Sequence, residues 1–150
     1  MKPLEKEEQG RFDAVIRRTN ELSGIYRNAA AKSGLSVNEF WIWYTLMGED
    51  REYTQQEICA ACGLPKQTVN TIVRGLVRQK QVILEKIPLD RSRKRIRLTG
   101  AGRAFGEGLV ARTLEAERRA FAGLSEEAQL GALRFLDEYL PGLRREMEEL

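Results

Sequence analysis

The sequence predicts a mainly α-helical fold with one small β-hairpin, in the element order α-α-α-α-β-β-α-α. Apolar residues recur at helical spacing over most of the 150 residues, and two capping-box sequences mark helix starts. One short segment, residues 82–98, is instead β-branched and then alternates apolar with basic residues. With 42% hydrophobic residues the chain is long enough to bury one core, so we expect a single unit over residues 1–150.

The first two helices are predicted from apolar spacing and from the residues at their ends. Apolar residues from Phe12 to Ala29 lie on one face of a long first helix, which Gly34 closes. Ser36 is the expected N-cap of the second helix, and Glu39 completes the capping box SVNE. Because the second helix is apolar on nearly every side, we expect it to be buried at the centre of the fold.

The middle of the chain predicts a helix-turn-helix. The capping box TQQE, from Thr54 to Glu57, begins a short third helix that ends near Cys62. Gly63 turns the chain, and Pro65 suits the first turn of the fourth helix, where its missing N–H costs nothing. The fourth helix has an apolar stripe made of Val69, Ile72, Val73, Leu76 and Val77. A short helix, a tight turn and an amphipathic helix are typical of this motif.

The next segment predicts two strands joined by Pro88 to Arg93. In the second strand, Ile96 and Leu98 lie on one face, whereas Arg95 and Arg97 lie on the other. A helix-turn-helix followed by such a basic hairpin predicts a winged helix-turn-helix.

Two further helices are expected to complete the chain. Thr99 caps a long helix that runs to about Ala122, and Ser125 caps the last helix, with two glutamates in its first turn. Pro141 and Gly142 are expected to bend or break that last helix.

Positive charge is concentrated in this central region. Between Ile58 and Gly106 the only acidic residues are Glu85 and Asp90, against eleven lysines and arginines. The segment therefore carries +9 within a chain whose formal net charge is +3, and the remainder carries −6. Such clustering is typical of a protein that meets a polyanion, although a solvated basic surface is the alternative.

The outward face of the fourth helix has no carboxylate, which phosphate would repel. In a major groove, Gln and Asn can pair with adenine, Arg with guanine, and a Thr methyl group with thymine. We therefore expect base contacts from Lys66, Gln67, Thr68, Asn70, Thr71 and Arg74. The hairpin is expected to contact phosphates or a minor groove through Arg91, Arg93, Lys94 and Arg95, although solvent-facing strand arginines are the alternative for Arg95.

Two segments resemble the MarR (multiple antibiotic resistance regulator) family of bacterial winged helix-turn-helix regulators: TQQEICAACGLPKQTVNTIVRGLVRQ and DRSRKRIRLTGAG. The resemblance implies a winged lobe over residues 36–99 and a helical dimerisation lobe over residues 1–35 and 100–150. It also implies an interlocked homodimer that binds double-stranded DNA at a near-palindromic operator. Many members repress transcription until a small molecule loosens DNA binding.

Three positions depart from the family pattern. Ser92 stands where the wing motif D-x-R has arginine, so either Arg91 or Arg93 is expected to serve at the tip. Lys80 stands where the turn after the recognition helix usually has glycine, so left-handed geometry there would be strained. The sequence LTGAG also lacks the usual acidic residue after LT.

The resemblance also suggests where an effector binds. Tyr26, Trp41, Trp43 and Tyr44 are expected near the junction of the two lobes, where they would suit a small aromatic or lipophilic ligand. Rings that simply fill the core are the alternative. Cys59 and Cys62 are expected to be small core residues, with a thiol switch as the alternative.

Other classes of function have little support in the sequence. The chain has no histidine, no evident metal-ligand cluster and no phosphate-binding glycine loop, so we expect neither an enzyme nor a bound cofactor. No apolar run is long enough for a membrane span, and the acidic N-terminus is unlike a secretion signal, so a cytoplasmic location is expected. A winged helix that docks onto an acidic protein is the second hypothesis.

Overall fold

A computed structural model describes residues 4–48, 51–88 and 90–150, without the side chains of Arg91 and Ser92. Its elements are α1 (Lys6–Lys32), α2 (Val37–Gly48), β1 (Tyr53–Thr54), α3 (Gln55–Cys62), α4 (Lys66–Arg78), β2 (Val82–Ile87), β3 (Asp90–Leu98), α5 (Gly100–Ala122) and α6 (Glu126–Glu148). They form two compact units, Met1–Ala111 and Arg112–Leu150. The mainly helical fold with a winged helix-turn-helix is confirmed.

The capping residues found in the sequence do cap helices. The Ser36 hydroxyl accepts a hydrogen bond from the Glu39 amide at 3.2 Å. The Thr99 and Ser125 hydroxyls accept from amides three residues ahead, at the starts of α5 and α6. Gly34 follows α1 with φ +72°, the left-handed conformation expected of a residue that closes a helix.

The sheet contains a strand that the sequence did not predict. Tyr53 and Thr54 form β1, which pairs antiparallel with Ile96 and Arg95 of β3, so the strand order is β1-β3-β2. Tyr53 is only 2% exposed. A strand of two residues is too short to show an alternating pattern, so the sequence contains no local signal for it.

The connection between the two strands of the hairpin is shorter than expected. β3 begins at Asp90, so residues 90–93 belong to a strand rather than to the connection between strands. A register shift between Lys86 and Ile87 accommodates the change, and Ile87 then pairs with Asp90. The polar composition of DRSR indicated a turn; in the structure Asp90 pairs with β2, and residues 91–93 form the irregularity between this pair and the next one.

The core of the first unit is built around α2, as predicted. Phe40, Ile42 and Trp43 have no exposed surface, and they share the core with Ile58 of α3. Three members of the predicted apolar stripe of α4 are also buried: Val69, Val73 and Leu76. At the end of that stripe, Val77 is 37% exposed.

The last helix continues through Pro141. α6 runs from Glu126 to Glu148 with Pro141 inside it, so Pro141 and Gly142 do not break the helix, and a bend there stays a prediction. Proline removes one hydrogen bond, to the carbonyl of Asp137, and water can replace that bond because this part of α6 is exposed. Across the described ranges, no helix has an apolar stretch that would cross a bilayer.

Candidate nucleic-acid interface

One face of α4 presents polar side chains to solvent. Gln67, Thr71, Arg74 and Arg78 follow each other at intervals of four, three and four residues, and all four are exposed. This spacing places them in one line, opposite the buried valines and leucine. We call these four residues the outer stripe of α4.

The other expected base-reading residues border the outer stripe. Lys66 is exposed at the first position of α4, whereas Thr68 and Asn70 are half-buried at its flanks. All six therefore lie on or beside the surface that α4 presents.

The outer stripe is positively charged and has no internal counter-charge. No acidic residue occurs between Lys66 and Lys80. Neither Arg74 nor Arg78 forms an ion pair with any residue that the structure describes. The first turn of α4 also has no acidic residue to offset the positive end of its helix dipole. The surface is therefore suited to an anionic partner.

The hairpin of β2 and β3 is the wing, and in it Asp90 orients Arg93. The Arg93 guanidinium donates a hydrogen bond to the Asp90 carboxylate, which also accepts from the Arg93 amide at 3.2 Å. This hydrogen bond raises the pKa of Arg93 above its usual value. The Arg93 side chain remains 59% exposed, so its guanidinium is held in place and still accessible. The side chain of Arg91, the other candidate for the tip, lies outside the described residues.

The remaining wing cations fall into two classes. Arg97 forms an ion pair with Glu85, and the Arg95 guanidinium lies 3.9 Å from the Glu52 carboxylate. Lys94, by contrast, is directly opposite Lys86 on the neighbouring strand, and both lysines are exposed. Like charges in this position repel each other unless an anion lies between them.

Lys86 was not among the site residues expected from the sequence. Its position depends on the pairing register of β2 with β3, which includes a shift beside Lys86 itself. No local sequence pattern reports that register, although Lys86 could have been found as a basic residue in the predicted hairpin.

The four residues expected to bind an effector do not form one group. Tyr26 packs against Trp41 with ring centroids 4.6 Å apart, and Trp41 packs against Tyr44 at 5.4 Å. Trp43 instead lies 5.0 Å from Phe105 and is fully buried. Trp43 lies apart from the other three rings because positions 41 and 44 share a helix face that position 43 does not.

A cavity of about 560 Å³ lies elsewhere in the first unit. Its walls include Met47, Arg97, Leu98 and Arg103. None of the four expected effector residues lines this cavity.

The two cysteines are half-buried and not disulfide-bonded. The Cys62 sulfur lies 3.2 Å from the Thr45 hydroxyl and 3.6 Å from the Trp41 carbonyl oxygen. Burial raises the pKa of the Cys62 thiol, against a smaller lowering by the hydrogen bond with Thr45. Cys62 is thus held as a protonated thiol at neutral pH, which disfavours reaction with oxidants.

Residues 33–91, which contain the helix-turn-helix and the start of the wing, match the model of the MarR family. Over these residues the winged helix-turn-helix is similar to that of the MarR family. Members of that family are transcription regulators and not enzymes, in line with the expectation for this chain. No curated protein sequence matched the chain.

Several solved structures share the fold over nearly the whole chain. NMB1585, a MarR family regulator from Neisseria meningitidis, is 24% identical, with 93% of this chain and 97% of that one covered and a TM-score of 0.79. Sco3205, a MarR family regulator from Streptomyces coelicolor solved in complex with DNA, is 20% identical, with 95% and 91% covered and a TM-score of 0.76. BpsR from Bordetella bronchiseptica is 21% identical, with 91% and 96% covered and a TM-score of 0.64.

Proposed function

We propose that this protein is a sequence-specific regulator that binds double-stranded DNA as a homodimer and represses transcription. The outer stripe of α4 carries this proposal, because it is exposed, cationic and free of carboxylates. An α-helix fits the major groove of B-DNA, where Gln67 and Arg74 can form paired hydrogen bonds with base edges. The structure of Sco3205 with bound DNA supports this use of the fold.

The wing is proposed to contact the phosphate backbone beside that groove. Lys86 and Lys94 repel each other in the free protein, so a phosphate between them would remove an unfavourable interaction. Arg93, oriented by Asp90, is proposed as the tip residue. Arg95 is a weaker candidate because Glu52 competes for its guanidinium.

A second copy of the chain is the proposed partner of α6. No residue of this helix is buried, although apolar side chains recur along it at alternating intervals of three and four residues. This seam consists of Leu133, Leu136, Leu140, Leu143 and Met147. Such spacing is typical of helices that pair with another helix. A two-fold dimer would explain binding to a near-palindromic operator.

A small aromatic or lipophilic effector is proposed to bind beside Tyr26, Trp41 and Tyr44. These three rings are half-buried, so they combine apolar surface with access from solvent. DNA binding by BpsR is regulated by 6-hydroxynicotinic acid, a small aromatic ring. Release by such a ligand is preferred to a thiol switch because the raised pKa of Cys62 disfavours oxidation.

Fluorescence anisotropy with the full-length protein tests the proposal. A duplex selected from a random pool should bind more tightly than an unrelated duplex, and its affinity should fall steeply as salt is raised. Arg74→Ala should weaken binding to the selected duplex by about 1–3 kcal/mol and reduce preference for it. Lys94→Ala should weaken binding to every duplex and lower the salt slope by about one unit.

Arg11→Ala is the matched control, because it removes one exposed arginine from α1, outside the proposed interface. This variant should bind the selected duplex and the unrelated duplex with the same affinities as the wild-type protein. Weak binding that does not respond to salt would contradict the proposal. Capture of an acidic protein without any preference among duplexes would favour the docking hypothesis instead.

A further inference from the structure

Thr71 lies in the middle of the outer stripe of α4, between Gln67 and Arg74, and is exposed. Its hydroxyl group donates a hydrogen bond of 3.0 Å to the backbone carbonyl oxygen of Gln67, one turn earlier in the same helix. A threonine hydroxyl has one proton to donate. This donor is therefore already used within the helix and is not offered to a ligand.

What remains for Thr71 to present is its methyl group and the lone pairs of its hydroxyl oxygen. The β-carbon of threonine carries two heavy substituents, a hydroxyl and a methyl group, and here the hydroxyl is directed to the helix backbone. The other members of the outer stripe end in amide or guanidinium groups. Thr71 thus supplies an apolar point in a row of hydrogen-bonding groups.

In the major groove, the corresponding apolar group is the C5-methyl of thymine. The N-terminal part of a recognition helix is the part that contacts base edges, and Thr71 lies in the first half of α4. We infer that Thr71 determines specificity by selecting a thymine in each operator half-site through contact between the two methyl groups. The inference rests on the proposed function, because it assigns one base to a surface that this function assigns to DNA.

Replacement of thymine by deoxyuracil tests the inference. Uracil keeps the hydrogen-bonding groups of thymine and lacks only the methyl group. The full-length protein first selects its duplex from a random pool, and each thymine of the half-site is then replaced in turn. At one position we expect the affinity measured by anisotropy to fall about fourfold per half-site. This factor corresponds to one methyl-sized group that binding no longer removes from water.

Two variants separate the methyl group from the hydroxyl. Thr71→Ser keeps the hydroxyl and loses the methyl, so it should bind the thymine and uracil duplexes equally. Thr71→Val keeps the methyl and loses the hydroxyl, so it should still prefer thymine about fourfold per half-site. Circular dichroism of both variants verifies that α4 remains folded.

Each remaining outcome is decisive. Three results would overturn the inference and leave DNA binding intact. The wild-type protein could bind every uracil duplex as tightly as the thymine duplex, or the selected half-site could contain no thymine. The preference for thymine could also persist in Thr71→Ser. Loss of the preference in Thr71→Val would also overturn it, because the hydroxyl would then be the reading group. Failure to select any duplex would overturn the proposed function as well.

Discussion

At the scale of single residues, Thr54 and Glu57 hold the start of the helix-turn-helix. The Glu57 carboxylate accepts a hydrogen bond of 2.7 Å from the Thr54 amide, and the Thr54 hydroxyl accepts from the Glu57 amide at 3.2 Å. The backbone hydrogen bond from Thr54, followed by the one from its hydroxyl, lowers the pKa of Glu57 below its ordinary value of 4.5. The charged carboxylate therefore stabilises the folded state.

Removal of this carboxylate should cost stability in a way that depends on pH. Because the folded-state pKa is lowered, the stabilisation is present above pH 4.5 and is lost as the pH falls through the folded-state value. Glu57→Ala should reduce the free energy of unfolding by about 1 kcal/mol at pH 7, and by less at pH 3. Urea unfolding at both pH values measures this, and an equal loss at both would contradict it.

At the same scale, the structure explains which expected site residues belong together. Exposure of Gln67, Thr71 and Arg74 follows from helical spacing alone, so the sequence was sufficient to predict it. The partners of the wing arginines were not predictable, because Glu52 and Glu85 reach them only through strand pairing.

At the scale of elements, the turn between α4 and β2 contains backbone strain. Lys80 has φ +58°, a left-handed conformation, at the position where the family resemblance implies glycine. Its amide donates to the Val77 carbonyl, and the Gln81 amide donates to the Leu76 carbonyl, which together close α4. A side chain in this conformation costs roughly 1–2 kcal/mol.

Lys80→Gly should therefore stabilise the protein by up to about 1 kcal/mol, after allowance for the greater flexibility of glycine in the unfolded chain. Arg78→Gly is the matched control, because it adds the same flexibility at a position with right-handed helical geometry. The control should lose about 1 kcal/mol. Thermal and urea unfolding measure both, and a loss of stability in Lys80→Gly would contradict the assignment of strain.

The start of α5 depends on close approach to the same turn. A β-carbon at Gly102 would lie 1.8 Å from the carbonyl oxygen of Gln81, so this glycine lets the helix pack against the backbone. Gly102→Ala should lower the free energy of unfolding by more than about 3 kcal/mol, because backbone must move. Gly108→Ala, in the same helix with no atom within 4 Å, should instead be neutral or stabilise by up to about 1 kcal/mol.

At the scale of the whole molecule, the apolar seam of α6 leads to a prediction about assembly. Leu136 is 45% exposed and Arg134, two residues earlier, is also exposed. Leu136→Glu should convert a dimer to a monomer at micromolar concentration, because it places a charge in the seam. Arg134→Glu adds the same side chain outside the seam and should remain dimeric. Sedimentation velocity distinguishes the two, and a monomeric wild-type protein would contradict the proposed dimer.

The sequence alone determined the helices, their caps and the acid-free outer face of α4. These features depend on residues within about four positions of each other, such as Thr54 with Glu57 or Gln67 with Thr71, so they can be read along the chain. Lys80 was recognisable only through the family resemblance, in which glycine usually follows the recognition helix.

Only the tertiary structure decided how distant segments meet. It added β1, moved the start of β3 to Asp90, placed Lys86 opposite Lys94 and separated Trp43 from Tyr26, Trp41 and Tyr44. It also showed that α6 tolerates Pro141. Strand register, ring packing and solvent access depend on contacts between residues far apart in the chain, and a single sequence contains no local signal for them.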